Sequence, residues 1–201
     1  MSPGAKKQVE FFIDFGSPTT YLAYTQLPKI AGECGAELVW RPMLLGGVFK
    51  ATGNQSPVLI KPKGKWMFDD LALWARRYGV ALAMNPFFII NTLTLMRGAV
   101  GLQMRKPELF PRYVEVMFHA MWVEPCNLGD PDVVAATLRE EGFDSVAFAA
   151  LVGKPEVKAK LIAVTDEAVK RGVFGAPTMF VGKHMFFGQD RLEFVREALS
   201  A

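Results

Sequence analysis

Cysteine is scarce in this sequence of 201 residues, which contains only Cys34 and Cys126. The two lie 92 positions apart and form no C-x-x-C pair, so the chain lacks the usual motifs of dithiol redox centres and cysteine-rich zinc sites. A structural disulfide between them is also unexpected, because thiols are kept reduced in the cytosol. We expect a cytoplasmic protein, in which a disulfide between these two cysteines is possible but improbable.

Histidine is equally scarce, since His119 and His184 are the only two in the sequence. Neither belongs to a cluster with the spacing of metal ligands, so we predict no metal site. His119 lies in the apolar segment VEVMFHAMW, which favours a place in the core or at an interface over a catalytic role.

The sequence also lacks a long apolar run and an excess of charge of one sign. No apolar run reaches 18 residues and no signal-peptide pattern is present, which argues against membrane and secreted proteins. The 23 basic and 20 acidic residues leave a net charge of +3. This balance argues against nucleic-acid binding but is compatible with a small anionic ligand. The first seven residues are predicted to be a frayed tail.

The chain does contain enough apolar residues for a packed core, 51% of the total, and their spacing predicts an α/β fold. The predicted order is a β-α-β unit, a helical block, and a β-hairpin followed by a helix. Strands are predicted at residues 8–14, 37–43, 177–182 and 184–188, with helices at 18–34 and 190–200 around them. Residues 44–62 are predicted to be a loop. This order indicates a thioredoxin-like domain (residues 8–62 and 173–201) with an all-helical insertion (residues 63–172).

A serine stands where the first strand should pass into the first helix, in the segment Phe15-Gly16-Ser17-Pro18. Serine is a good N-cap and proline a good first helical residue. The start of a helix stabilises anions and lowers the pKa of a thiol, so Ser17 could donate a hydrogen bond to a ligand's thiolate. The alternative is a plain N-cap. A serine-hydrolase nucleophile is not indicated, because there is no G-x-S-x-G motif and no histidine is placed to activate Ser17.

Two junctions near the C-terminus could bind a peptide-like ligand. In Gly175-Ala176-Pro177 the proline opens a strand and is a candidate cis residue, which would expose the backbone of Ala176 to an extended peptide. The alternative is an ordinary proline at a strand entry. In Gly188-Gln189-Asp190-Arg191, Asp190 could hold a ligand ammonium group, cap the last helix, or do both.

Two further segments could bind the acidic part of a ligand. Residues 50–65 contain Gly53-Asn54 and the basic run Lys61-Pro62-Lys63-Gly64-Lys65, which suits an anion site but is also typical of a solvated surface. In the apolar segment 84–96, predicted to be a buried loop and helix, Asn91 and then Arg97 interrupt an apolar wall. Such a wall would suit an aromatic carboxylate or would simply be core.

Together and in this order, these segments resemble the 2-hydroxychromene-2-carboxylate isomerases, a family grouped with kappa-class glutathione transferases. The resemblance runs from about Glu10 to Arg196. The motifs that carry it are Asp14-Phe15-Gly16-Ser17-Pro18 with Tyr21, Arg41-Pro42, Gly53-Asn54, Pro62-Lys63-Gly64, Phe174-Gly175-Ala176-Pro177 and Gly188-Gln189-Asp190-Arg191.

The resemblance implies a thioredoxin-like domain with an all-helical insertion, a homodimer and glutathione as cofactor. It also implies roles for individual residues: Ser17 would hydrogen-bond the glutathione sulfur, Asn54 and Lys63 would hold its glycine end or backbone, Ala176 before a cis Pro177 would pair with the cysteinyl backbone, and Gln189 and Asp190 would take the γ-glutamyl end. The family often has a larger apolar residue at the position of Ala176, and this change leaves a backbone contact possible.

The segment Asn91-Thr92 with Arg97 resembles the isomerases more than the kappa-class transferases. The implied reaction interconverts 2-hydroxychromene-2-carboxylate and trans-o-hydroxybenzylidenepyruvate in naphthalene-type aromatic catabolism, through reversible addition of a thiolate. Asn91 would contact this substrate, and Lys50 or Arg97 would hold its carboxylate. The alternatives are a kappa-class-like glutathione transferase and a non-catalytic module that binds glutathione or a peptide. A disulfide oxidoreductase is disfavoured, because residues 17–20 contain no cysteine.

Overall fold

The computed structural model describes residues 7–201, so all but Lys7 of the predicted frayed tail lies outside the described residues. A four-stranded sheet forms the centre of the fold. Its strands are Gln8–Ile13 (β1), Glu37–Pro42 (β2), Thr178–Val181 (β3) and His184–Phe187 (β4). They lie in the order β2-β1-β3-β4; β1 and β2 are parallel, whereas β3 is antiparallel to both β1 and β4.

Helices connect and cover these strands, and most of them lie between β2 and β3. The helix bounds are Pro18–Glu33 (α1), Leu45–Thr52 (α2), Lys61–Tyr78 (α3), Leu93–Arg105 (α4), Phe110–Trp122 (α5), Pro131–Glu140 (α6), Ser145–Gly153 (α7), Pro155–Lys170 (α8) and Leu192–Ser200 (α9). Short 3-10 helices cover Pro57–Leu59, Pro107–Leu109 and Gln189–Arg191.

Strand β1 is buried on both faces of the sheet along most of its length, and its successive side chains point to opposite sides. Phe11 belongs to the large core that α1, α9 and the helical block share. Phe12 belongs to a second core, in which Val164 and Ala168 of α8 pack against the other face of the sheet. The sheet therefore lies between two helical layers.

The predicted α/β architecture, the β-hairpin and the order of elements are confirmed. Two predictions are wrong in part. Residues 44–62 are not all loop, since they contain α2 and the 3-10 helix at Pro57–Leu59. His119 is exposed on α5, so it does not belong to the core of this chain. The division between residues 63–172 and the rest of the chain stays a prediction.

The helix α2 forms despite its two adjacent glycines because its first amides have acceptors elsewhere in the fold. The backbone N–H of Leu44 donates to Thr165 Oγ1 at 3.0 Å, and that of Leu45 donates to Asp14 Oδ2 at 2.8 Å. Tertiary contacts thus override the low helix propensity of Gly46 and Gly47. Nowhere in residues 7–201 is there a helix both long enough and apolar enough to cross a membrane.

Candidate functional site

Ser17 caps the N-terminus of α1, where β1 turns into the helix. Its backbone is extended (φ −103°, ψ 113°), and its Oγ accepts the N–H of Thr20 at 3.1 Å, as an N-cap side chain does. The same Oγ lies 2.8 Å from the hydroxyl of Thr19 and 3.0 Å from the carbonyl oxygen of Ala176. The predicted cap is therefore present, and it also contacts a segment 159 positions away along the chain.

That segment is the junction before β3, where the peptide bond between Ala176 and Pro177 is cis, as predicted. The carbonyl oxygen of Ala176 accepts the hydroxyl of Ser17 and also that of Thr19, the latter at 3.0 Å. The N–H of Ala176 has no hydrogen-bond acceptor within residues 7–201. Its carbonyl is thus already engaged, and its N–H remains to pair with a ligand.

A buried carboxyl group lies directly behind Ser17. Asp14 is 1% exposed; its Oδ1 accepts the N–H of Gly16 at 2.9 Å, and its Oδ2 accepts the N–H of Leu45 and the hydroxyl of Thr92 at 2.8 and 3.0 Å. Burial raises the pKa of Asp14, while the hydrogen bonds from Leu45, Gly16 and Thr92 oppose that shift. Because these donors belong to three separate segments, Asp14 holds together the end of β1 and the starts of α2 and α4.

Ser17 lines a cavity of about 200 Å³ between the start of α1, the cis bond and the loop before α4. Its walls are mostly apolar, and it contains no carboxylate among its lining residues. These residues are Gly16, Ser17, Pro18, Thr19, Leu45, Phe49, Asn54, Gln55, Ser56, Pro57, Met67, Phe88, Ile89, Gly175, Ala176 and Phe187. We call this the Ser17 cavity.

A larger cavity of about 520 Å³ adjoins it on the side of Asp14. The two share Gly16, Leu45, Phe49, Asn54, Gln55, Ser56 and Ile89. The larger one, which we call the Asp14 cavity, is also lined by Asn91, Thr92 and the start of α2 at Gly46. A ligand at Ser17 would therefore have space beside it for a second molecule.

The structure brings four of the predicted site residues to these cavities. Ser17 and Ala176 line the first, Asn54 lines both, and Asn91 lines the second. The side chain of Asn54 spans to the cis-proline segment, because its Nδ2 donates to the carbonyl oxygen of Phe174 at 2.8 Å. The Oδ1 of Asn91 accepts the N–H of Leu93 at 3.0 Å, so one half of this amide is used at the start of α4.

The predicted basic residues lie elsewhere. Lys50 on α2 and Lys63 on α3 are exposed, and neither lines the Ser17 or the Asp14 cavity. Arg97 lines a different cavity, between α2, α4 and α8. Neither of the two cavities near Ser17 has a cationic side chain among its lining residues.

The predicted γ-glutamyl site lies at the 3-10 helix after β4. Gln189 is buried, and its carbonyl oxygen accepts the hydroxyl of Tyr78 at 2.7 Å. Asp190 lines a separate cleft and pairs with Arg191 Nη1 at 2.7 Å. Burial, followed by the charge of Asp190, raises the pKa of Tyr78 to about 12, so Tyr78 stays protonated and donates in this region.

Sequence reasoning missed Thr19, and it gave Asp14 no role. A signal for Thr19 is present, since a second hydroxyl in the first turn of a capped helix can reach the same partners as the cap. No local pattern shows that Thr19 meets Ala176, because that contact joins residues 157 positions apart.

The hydrogen-bond donors around Ser17 could stabilise a thiolate. The N–H groups of Thr19 and Ala176 have no acceptors within residues 7–201, and both residues line the Ser17 cavity together with Ser17 at the start of α1. A thiolate there would meet hydrogen-bond donors and the positive end of a helix dipole, with no carboxylate lining the Ser17 cavity.

Comparisons with known proteins match this chain to DsbA-like thioredoxin domains, 2-hydroxychromene-2-carboxylate isomerases and kappa-class glutathione transferases. Residues 8–200 match the family described as DSBA-like thioredoxin domain. The chain is 31% identical over 195 residues to a 2-hydroxychromene-2-carboxylate isomerase of Sphingobium xenophagum, covering 96% of this chain and 98% of that one. It is 26% identical to human glutathione S-transferase kappa 1, covering 96% and 91%. A solved 2-hydroxychromene-2-carboxylate isomerase is 30% identical and superposes with a TM-score of 0.84, covering 96% and 94%.

Proposed function

The chain belongs to the DsbA-like thioredoxin family, among the isomerases and kappa-class transferases of that family, and we propose that it is a glutathione-dependent isomerase. Its proposed reaction interconverts 2-hydroxychromene-2-carboxylate and trans-o-hydroxybenzylidenepyruvate. The observation that carries the proposal is a serine, in place of a cysteine, at a helix start beside a cis-proline and a second cavity. The cytoplasmic location, the homodimer and the role in aromatic catabolism stay predictions.

Glutathione, when bound, would supply a thiolate that adds reversibly to the β-carbon of the ring-opened 2-oxo acid and so allows rotation about the former double bond. Ser17 would donate its hydroxyl hydrogen to the sulfur and so favour the thiolate, together with the helix end behind it. Ser17 can turn away from Ala176 without leaving that carbonyl unpaired, because Thr19 donates to the same oxygen at 3.0 Å. The Thr19 hydroxyl would thus lower the free-energy cost of turning the Ser17 hydroxyl from the Ala176 carbonyl to the sulfur.

The ends of glutathione would be held by the remaining predicted residues. Ala176 would use its free N–H to pair with the cysteinyl carbonyl. As the resemblance implies, Asn54 and Lys63 would hold the glycine end or the backbone of glutathione, and Gln189 and Asp190 would take the γ-glutamyl end. Lys63 and Asp190 line neither the Ser17 nor the Asp14 cavity, so they would contact parts of glutathione that extend beyond these cavities. These assignments follow the resemblance, and the lining of the Ser17 cavity supports Ala176 and Asn54 most directly.

The substrate would occupy the Asp14 cavity, where amide groups replace the basic residues predicted from the sequence. Asn91 accepts a hydrogen bond through Oδ1, which leaves its Nδ2 to donate to a carboxylate. Gly46 contributes a backbone N–H at the start of α2, where the helix dipole favours an anion. Lys50 and Arg97 are not needed in this arrangement.

The runner-up is a kappa-class-like glutathione transferase, which the relatives of that name favour. Such an enzyme would consume glutathione by joining it to an electrophile such as chlorodinitrobenzene. The same protein preparation separates the two activities: the absorbance change of the chromene carboxylate is followed with and without glutathione, and conjugation of chlorodinitrobenzene is followed in parallel. We expect rapid isomerisation only with glutathione. Conjugation without isomerisation would replace the proposal with the transferase. If the protein showed neither activity, the remaining reading would be a module that only binds glutathione or a peptide.

A further inference from the structure

A cavity of about 340 Å³ lies between α2, α4 and α8; it shares Leu44 with the Asp14 cavity and none of its lining residues with the Ser17 cavity. Most of its walls are aliphatic, and charged side chains stand among them. The lining residues are Leu44, Gly47, Ala51, Leu93, Arg97, Lys158, Leu161, Ile162, Thr165, Asp166, Val169 and Lys170. We call it the α8 cavity.

The charges of the α8 cavity favour an anion. Three of its lining residues are cationic, Arg97, Lys158 and Lys170, against one acid, Asp166. Within residues 7–201 none of these four belongs to an ion pair, although the exposed Arg105 on the same α4 is paired with Glu156. The cavity thus has two more cations than acids, and none of these cations is ion-paired within the described residues, so a bound anion would supply the missing counter-charge.

A second feature of the α8 cavity is an unpaired hydrogen-bond donor on Arg97. Its Nε is buried and has no hydrogen-bond partner within the described residues. A buried donor without an acceptor costs about 1–3 kcal/mol, and a carboxylate oxygen is the acceptor that best offsets this cost beside a guanidinium. The other buried polar group, the Thr165 hydroxyl, is fully used, since it donates to the carbonyl of Leu161 and accepts the N–H of Leu44.

Helix α2 separates the α8 cavity from the site at Ser17. Leu45 and Phe49 face the Ser17 and Asp14 cavities, whereas Gly47 and Ala51 face the α8 cavity. Gly47 allows α2 and α8 to approach closely, because a Cβ at this position would lie 3.1 Å from Thr165 Cγ2. A ligand in the α8 cavity would therefore touch one side of α2 and the substrate its other side.

We propose that the α8 cavity binds a compact apolar monocarboxylate, such as a one- or two-ring aromatic acid, at a site separate from Ser17. The aliphatic walls would hold the ring, and Arg97 with Lys158 and Lys170 would hold the carboxylate. A volume of about 340 Å³ suits this size, since small-molecule sites span roughly 300–1,000 Å³.

The experiment uses the full chain labelled at isoleucine δ1 methyl groups and titrated with naphthalene-1-carboxylate. Ile162 reports on the α8 cavity and Ile89 on the Ser17 cavity, so one spectrum distinguishes the two sites. S-methylglutathione is present throughout to occupy the Ser17 site. The neutral alcohol naphthalene-1-methanol tests the contribution of the charge. Lys158→Glu and Lys160→Glu are compared, because both lysines are exposed on α8 and only Lys158 lines the cavity.

We expect a saturable shift of Ile162, weaker binding of the alcohol, and affinity lowered about three- to tenfold by Lys158→Glu but less than about twofold by Lys160→Glu. The charge reversal at Lys158 both removes an exposed ion pair and adds a repulsion of similar size. A shift of Ile89 without Ile162 would overturn the proposal, because the acid would then bind only near Ser17. Equal losses in the two variants would also overturn it, since the effect would then reflect net charge alone.

Discussion

Replacing Ser17 with alanine removes the contacts of its hydroxyl with Thr19 and Ala176, and it removes two further interactions whose effects can be measured separately. The first is the N-cap hydrogen bond from Thr20 N–H at 3.1 Å, whose loss costs about 0.5–2 kcal/mol of the free energy of unfolding. The second is the proposed hydrogen bond to the glutathione thiolate. Hydrogen bonds to charged groups contribute about 1.5–3 kcal/mol, and one pKa unit corresponds to about 1.4 kcal/mol. Ser17→Ala should therefore raise the pKa of bound glutathione's thiol by about 1–2 units.

The assay is an ultraviolet titration of the thiolate in the complex, together with isomerase kinetics and urea unfolding. At a pH below both thiol pKa values, turnover should fall about 10- to 100-fold, because the thiolate fraction there falls by the full factor of the pKa shift. The affinity for glutathione should change far less, since its other contacts remain.

Asp144→Ala provides the matched control. Asp144 caps α7 by accepting the N–H groups of Val146 and Ala147 at 3.0 and 2.9 Å, and it lines none of the cavities at Ser17. This variant should lose a similar free energy of unfolding and keep wild-type turnover. If Ser17→Ala leaves the thiol pKa unchanged, or if Asp144→Ala loses as much activity, then Ser17 is a structural cap and the reasoning fails.

Three other variants test neighbouring parts of the site. Thr19→Val removes the hydroxyl that replaces Ser17 on the carbonyl of Ala176, so turnover should fall about three- to tenfold, as for one neutral hydrogen bond; an unchanged kcat would exclude this role. Asn91→Asp keeps the acceptor for the N–H of Leu93 and puts a negative charge in place of the donor Nδ2; KM for the carboxylate substrate should rise about tenfold or more at unchanged thermal stability, and an unchanged KM would place the carboxylate elsewhere. For Asp14, the folded-state pKa is raised above the ordinary 3.8 by burial, so the native state binds more protons than the unfolded chain in that window. The wild type should therefore lose free energy of unfolding relative to Asp14→Asn, which does not titrate, as pH rises from 3.8 through the folded-state value; a parallel pH dependence of the two would contradict the shift.

Much of the fold was predictable because local chemistry determines it. Serine is a preferred N-cap and proline a preferred first helical residue, so Ser17-Pro18 indicated the start of α1. A proline at a strand entry likewise suited the observed cis bond. Helix α2 was missed for an equally physical reason. Its glycines disfavour a helix locally, and the acceptors that stabilise its first turn, Asp14 and Thr165, lie far away in the sequence.

Site residues could be predicted only where a short sequence motif itself contains the residue that lines the site. Ser17 and Ala176 could be identified in this way, but their direct contact could not. The basic residues show the limit most clearly, because Lys50 and Phe49 are adjacent on α2 and only Phe49 lines the cavities at Ser17. Which side of a helix faces a cavity depends on packing against other elements, and residue type alone does not determine it.

The central claim is that this protein isomerises a 2-oxo acid with the thiol of glutathione, which is regenerated in each turnover. The most direct test supplies the chromene carboxylate in large excess over glutathione, follows the reaction to equilibrium and then titrates the free thiol. We predict many turnovers per glutathione, no reaction above the uncatalysed rate without it, and an unchanged amount of free thiol at the end. A reaction that stops when product equals the added glutathione, or that runs equally fast without glutathione, would contradict the claim.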